Sequence, residues 1–180
     1  MEAREIVLPE TKPETEWVRG RALQKVSPKR GHAMVQRDLL ALVDRWGRER
    51  GETGAEWRFR VAPPGEVRRP LVPDVAYVAS ERLRGHTAEE LEAPPFAPTV
   101  AFEILSTGDA PRDVASKVDV YLRAGAEAVV VLDPARRTIV AHDARGARAF
   151  RAGDAFAHPA LPGLTFAVGP FFENALKLRF

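Results

Sequence analysis

Cysteine is absent from all 180 residues, which excludes disulfides, thiolate zinc sites, iron–sulfur clusters and a cysteine nucleophile. Any metal must therefore be held by oxygen or imidazole. Long apolar runs are absent too, so no segment reads as a membrane span, and the opening MEAREIVLPE has neither the basic nor the apolar region of a secretory signal. The expected location is the cytoplasm. There is no G-x-S-x-G elbow, no G-x-x-x-x-G-K-[ST] phosphate loop and no H-E-x-x-H helix, which removes the commonest rival hydrolase chemistries. Strong charge of one sign is also missing. A formal net charge of +2 permits a polyanionic partner without implying one. Lysine is scarce: of 27 basic residues, only those at 12, 25, 29, 117 and 177 are lysines.

What is present is a chain of globular composition, 45% hydrophobic and 29% charged, long enough for one domain with a real core. Residues 1–16 are polar and proline-punctuated and read as an N-terminal arm, loosely packed, with 17–180 as a single domain. The organising stretch runs from Thr99 to Asp133 and reads as strand, loop, helix, strand. Its first strand carries Glu103 on a face shared with Ala101 and Leu105. A lone charge buried there would cost on the order of several kcal/mol, so a cation should meet it. Asp74 occupies a similar place in LVPDVAYVA, on a face with Ala76 and Val78. If the two strands are neighbours, both carboxylates can converge on one divalent cation. The helix from Pro111 carries Lys117 amid apolar positions. Two carboxylates and one lysine suit metal-assisted hydrolysis of a phosphodiester, because metal and ammonium both oppose the negative charge that develops.

Elsewhere, Trp17–Val26 reads as a hairpin turning at Arg19–Gly20, and Arg30–Arg50 as the strongest helix, with Gly51 as its stop. Stepping back along its stripe from Val43 through Leu39 reaches Gln36 and His32. These two either form a wet rim or face the metal or a phosphate. Glu56–Val61 alternates as a half-exposed strand and Leu71–Ala79 as the Asp74 strand, with a long connection over 80–98. Ala128–Leu132 suits a central strand parallel to the Glu103 strand. Hairpin strands follow near 138–142 and 147–151, then one near 164–168 and a terminal helix. Each candidate has a plainer role. Asp74 could bond backbone amides, Glu103 could pair with an arginine, Lys117 could be exposed and paired with Asp113, and Ser106 could cap its loop. Tyr121 reads as core, and His86, His142 and His158 lack ligand spacing.

The ordered series Pro73–Asp74–Val75, then F-E-I-L-S at 102–106, K-V-D-V-Y-L-R-A-G at 117–125 and V-L-D-P at 131–134 resembles the PD-(D/E)xK nuclease superfamily. Within it, the series resembles the Uma-type restriction endonucleases, to which V-S-P at 26–28 with His32 is also similar. The resemblance implies an α/β fold: a restriction-endonuclease-like α-β-β-β-α-β core, one central mixed sheet flanked by helices and extra hairpins. It further implies Asp74 and Glu103 as ligands of Mg2+ or Mn2+ and Lys117 as the catalytic lysine, while His32 and Gln36, from the helical stripe, and Ser106, from the loop after the Glu103 strand, are candidate supporting residues. In a strict D/E-x-K motif the lysine would stand at 105, where this chain has leucine. Lys117 resembles a lysine migrated to the next helix, whose long stem can bring the ammonium into the same pocket.

The expected function is a metal-dependent nuclease acting on nucleic acid, DNA by resemblance and endonucleolytically, with a homodimer serving the two strands of a duplex. Arg58, Arg60, Arg68 and Arg69 are candidates for backbone phosphate contacts. The alternative is a catalytically inactive nuclease-fold protein that binds nucleic acid or another partner. A glycosidase using the two acids is the third class, and it has no use for Lys117.

Overall fold

The structure is a computed structural model that describes residues 4–180. A hairpin opens it, β1 (Thr15–Val18) and β2 (Arg21–Gln24), followed by helix α1 (Arg30–Gly47) and strands β3 (Gly51–Ala55), β4 (Phe59–Val61), β5 (Arg69–Leu71) and β6 (Val75–Ala79). Short helices α2 (Ser80–Leu83) and α3 (Ala88–Glu92) lead to β7 (Val100–Ile104), α4 (Pro111–Arg123) and β8 (Ala128–Asp133). The chain ends with β9 (Thr138–Asp143), β10 (Gly146–Phe150), β11 (Ala155–Ala157), β12 (Thr165–Ala167) and α5 (Val168–Leu176).

The central sheet has six strands in the order β10-β9-β8-β7-β6-β3 and is mixed, because β7 and β8 run parallel while the other pairs are antiparallel. Parallel neighbours need a crossover, and α4 supplies it. Pro111 opens α4, where its missing N–H costs nothing, and Gly125 follows the last turn with φ +98°, a conformation only glycine takes without strain. Alternation along the strands builds two cores. Val75, Tyr77, Val100, Phe102, Ile104, Val130 and Leu132 pack with Val35, Leu39 and Val43 of α1 and with α5. Ala76, Val78, Ala101, Val129 and Val131 face the other way, onto Val118 and Tyr121 of α4 and onto the β1 and β4–β5 strands. Glu103 shares this second face.

Three local expectations are corrected. The helix stops at Gly47 rather than at Gly51, and Gly51 instead opens β3. A Cβ there would lie 2.0 Å from Val78 O, so glycine is what lets β3 approach β6. The first strand of the core is therefore β3, whose sequence GETGA has no apolar alternation, and the alternating segment at 56–61 contributes β4, paired with β5 in a separate two-stranded sheet. Finally, the boundary drawn after residue 16 falls inside β1, where Thr15 and Glu16 are buried.

Candidate active site

β6 and β7 pair with Val75 opposite Phe102, so one further step of this register sets Asp74 against Glu103 at one end of the sheet. Both carboxylates are buried. The Ile104 N–H donates to Asp74 Oδ2 at 2.6 Å, joining the Asp74 carboxylate to the strand that carries Glu103. α4 then projects Lys117 beneath the sheet. Its Nζ donates to Glu103 Oε2 at 2.7 Å and to Glu16 Oε2 at 2.9 Å. Asp113, one turn earlier, does not compete for the ammonium, because it accepts from Arg21 at 2.8 Å and from Arg19 at 3.3 Å. Arg19 lies in the turn of the β1–β2 hairpin and Arg21 directly follows it; Arg19 and Gly20 both have positive φ, the geometry of a two-residue hairpin loop.

Lys25 is a second ammonium in the site. Its Nζ donates to Asp74 Oδ1 at 2.7 Å, to Val72 O at 3.0 Å and to Glu56 Oε2 at 3.0 Å. From α1, Gln36 donates to the Asp74 carbonyl at 2.8 Å and to Glu56 Oε1 at 3.0 Å, and His32 Nε2 lies 3.4 Å from Asp74 Oδ2. Both residues that extend the helical stripe thus reach Asp74. Ser106 donates its backbone N–H to Asp109 Oδ2 at 2.6 Å and shapes the loop after β7. A cleft of about 320 Å³ opens over this group, lined among others by Arg21, Lys25, His32, Leu105, Ser106 and Lys117.

Sequence reasoning missed Glu16, Lys25 and Glu56. The signal for Lys25 was its rarity, shared with Lys117. Glu16 lay in a segment read as a loose arm, although the alternation of Thr15–Val18 could have extended the hairpin backwards. Three of the four arginines named for phosphate contacts, Arg58, Arg60 and Arg69, instead have side chains engaged within the protein. Arg58 pairs with Glu14, Arg60 with Glu5 and Arg69 with Glu66. Arg68 exchanges backbone hydrogen bonds with residues 4 and 6, while its side-chain Nε is buried without a hydrogen-bond partner.

The electrostatics follow from burial and these partners. Burial pushes the Glu103 carboxyl up to about 8; Lys117 opposes the shift, while Asp74 and Glu16 add to it. Asp74 is buried as deeply, yet Lys25 and then His32 outweigh that penalty and hold it well below the usual carboxylate range. Burial weakens both ammoniums, but the surrounding carboxylates together override it, Asp74 foremost at Lys25 and Glu103 foremost at Lys117, so both lie above the ordinary lysine value. Glu103 Oε1, His32 Nδ1 and the Tyr121 hydroxyl are buried without a hydrogen-bond partner. Burial and the surrounding carboxylates also drive the Tyr121 hydroxyl well above its usual value.

These shifts predict a pH dependence of stability for the metal-free protein. Glu103 titrates at 4.5 when free and at about 8 when folded, so its contribution is complete below about 4.5 and is lost as pH rises through about 8. Asp74 runs the other way, contributing above about 3.8 and losing that contribution only in strong acid. In EDTA, the melting temperature is expected to fall between about pH 5 and about pH 9, and Glu103→Gln should flatten that slope. A slope unchanged in Glu103→Gln would assign it to other groups.

The donor set suits a divalent cation. Four carboxylates (Glu16, Glu56, Asp74 and Glu103) face two ammoniums, and Glu103 Oε1 has no partner of its own. Among the described residues no group of three or more His, Asp or Glu side chains stands ready to hold a metal ion. The two Asp74 oxygens accept from Lys25 and from Ile104.

The Uma2 family model, described as "Putative restriction endonuclease", matches residues 4–169. No curated protein gives a significant match. Among solved structures, the chain is similar to "a putative nuclease belonging to DUF820 from Anabaena variabilis ATCC 29413", with a TM-score of 0.83 and 21% identity over 93% of this chain and 94% of that one. The chain shares that structure's fold, and Asp74 and Glu103 lie on neighbouring segments of this chain's own central sheet. With the match running through the β1–β2 hairpin, the central sheet and α4, the chain belongs to the Uma2 family, described as "Putative restriction endonuclease".

Proposed function

We propose that the chain is a divalent-metal-dependent nuclease that hydrolyses phosphodiester bonds, with DNA as substrate. The observation that carries this reading is Lys117 Nζ, 2.7 Å from Glu103 Oε2 in a buried site that also holds Asp74. A lysine from α4 thus stands beside the acid of β7, the role that Leu105 cannot fill. Asp74 and Glu103 would hold Mg2+ or Mn2+. When bound, the metal supplies positive charge to the phosphoryl group and acidifies water.

The remaining work falls to the chain's own side chains. Lys117 keeps its proton, because two carboxylates raise its pKa, so it serves as a hydrogen-bond donor and fixed positive charge rather than as a base. Glu16 holds Lys117 from the far side, and its other oxygen accepts from the Val72 N–H at 2.7 Å, which fixes the carboxylate. Gln36 steadies the Asp74 backbone. Arg21, half-exposed at the cleft, is positioned to meet the polyanionic backbone, a contact that should weaken with salt. A homodimer would present one such site to each strand of a duplex.

The test is cleavage of plasmid and single-stranded DNA with Mg2+ or Mn2+, with EDTA and Glu103→Gln as controls. The wild type should cut only with metal, and Glu103→Gln should lose about a thousandfold or more. Cutting that survives Glu103→Gln would sink the site. A rival reading, binding without turnover, draws on the same Asp74 oxygen that Lys25 occupies. It predicts DNA retention by the wild type with no cleavage in either metal.

A further inference from the structure

The Lys25 ammonium sits where a cation shared by these acids would sit. Its acceptors are Asp74 Oδ1 at 2.7 Å, the Val72 carbonyl at 3.0 Å and both Glu56 carboxylate oxygens at 3.0 and 3.3 Å, an all-oxygen set of the kind hard cations take. Both Asp74 oxygens are engaged, since Oδ2 accepts from Ile104 N–H. A divalent cation approaching Oδ1 meets the Lys25 ammonium, a like charge 2.7 Å from that oxygen, and the repulsion favours departure of Nζ. We propose that Lys25 is a tethered counter-ion that occupies the cation position in the metal-free protein, and that divalent metal binding expels it into the cleft, where it meets a substrate phosphate. This rests on the metal-dependent reading above.

Three further observations fit the exchange. The Lys25 side chain, 13% exposed, lines the cleft, so leaving Asp74 brings its head into open volume rather than through the core. Its backbone stays fixed, because Lys25 N–H donates to Glu14 O at 2.8 Å at the end of the hairpin, so only the side chain has to turn. The charge is conserved in sense: a cation arrives at the carboxylates as an ammonium leaves, and the released ammonium needs a new anion. Lys117 differs, being enclosed between Glu103 and Glu16 with both sides engaged. Metal and phosphate would then favour one another through Lys25, because each provides what the other takes away.

Two measurements test this with Mn2+ as the probe. In wild type, reductive methylation followed by mass spectrometry should find Lys25 protected in EDTA and modified in Mn2+, with Lys117 protected in both. Calorimetric titration should show Lys25→Met, which removes the charge but keeps the stem, binding Mn2+ about tenfold or more tightly than wild type. Lys25 that stays protected in Mn2+, or a Lys25→Met affinity equal to or weaker than wild type, would overturn the proposal while leaving metal dependence standing. No Mn2+ binding by either protein would overturn both. If Lys25→Met does not fold in EDTA, the wild-type labelling decides alone.

Discussion

Lys117→Met is expected to lower metal-dependent cleavage by about a thousandfold or more, with folding retained at reduced stability. Methionine keeps the length of the stem and removes the donor. Two buried carboxylates, Glu103 and Glu16, then lose their shared cation, and breaking a buried ion pair from one side costs about 3–5 kcal/mol. The double variant Lys117→Met/Glu103→Gln should therefore be less destabilised than the sum of its parts, since each change removes the other's unpaired charge. Its activity should remain lost. Urea denaturation would read the first effect and DNA cleavage the second. Cleavage by Lys117→Met within about threefold of wild type would remove this lysine from the mechanism.

Asp74 should show the other large effect. Its carboxylate accepts from Lys25 and the Ile104 N–H and contacts His32, so Asp74→Ala strands a buried amide and a mostly buried ammonium together. The expected destabilisation is about 3–5 kcal/mol. Asp74→Asn should cost less, because its carbonyl can still accept from Ile104 while its amide group opposes Lys25. Both should lose cleavage. If both kept wild-type stability, Asp74 would not be the electrostatic hub described here.

The central crossover was legible because β7, α4 and β8 announce themselves in three different periods: a strand with one misplaced acid, a helical stripe, and an unbroken apolar run. Asp74 stood out for the same reason as Glu103, a charge on an apolar face. β3 was illegible, since its glycines serve close approach to β6 and leave no side-chain pattern to read. The alternation at 56–61 was real but belonged to a strand outside the central sheet. His32 and Gln36 were found by continuing a helical stripe beyond its apolar end. Glu16 and Glu56 carry no comparable local signal, because their roles come from contacts that cross long stretches of chain: Glu16 meets Lys117, and Glu56 meets Lys25 and Gln36. Arginines 58, 60 and 69 looked like a phosphate-binding set only because their acidic partners lie far away in sequence or in a loop.

The central claim is that Asp74 and Glu103 act on one divalent cation. Titration of Mn2+ into wild type, Asp74→Asn and Glu103→Gln by calorimetry tests it most directly, with circular dichroism confirming that each variant is folded. The account predicts about one Mn2+ per chain for wild type and loss of that site in both variants. Absence of binding to wild type, or binding undiminished in both variants, would contradict it.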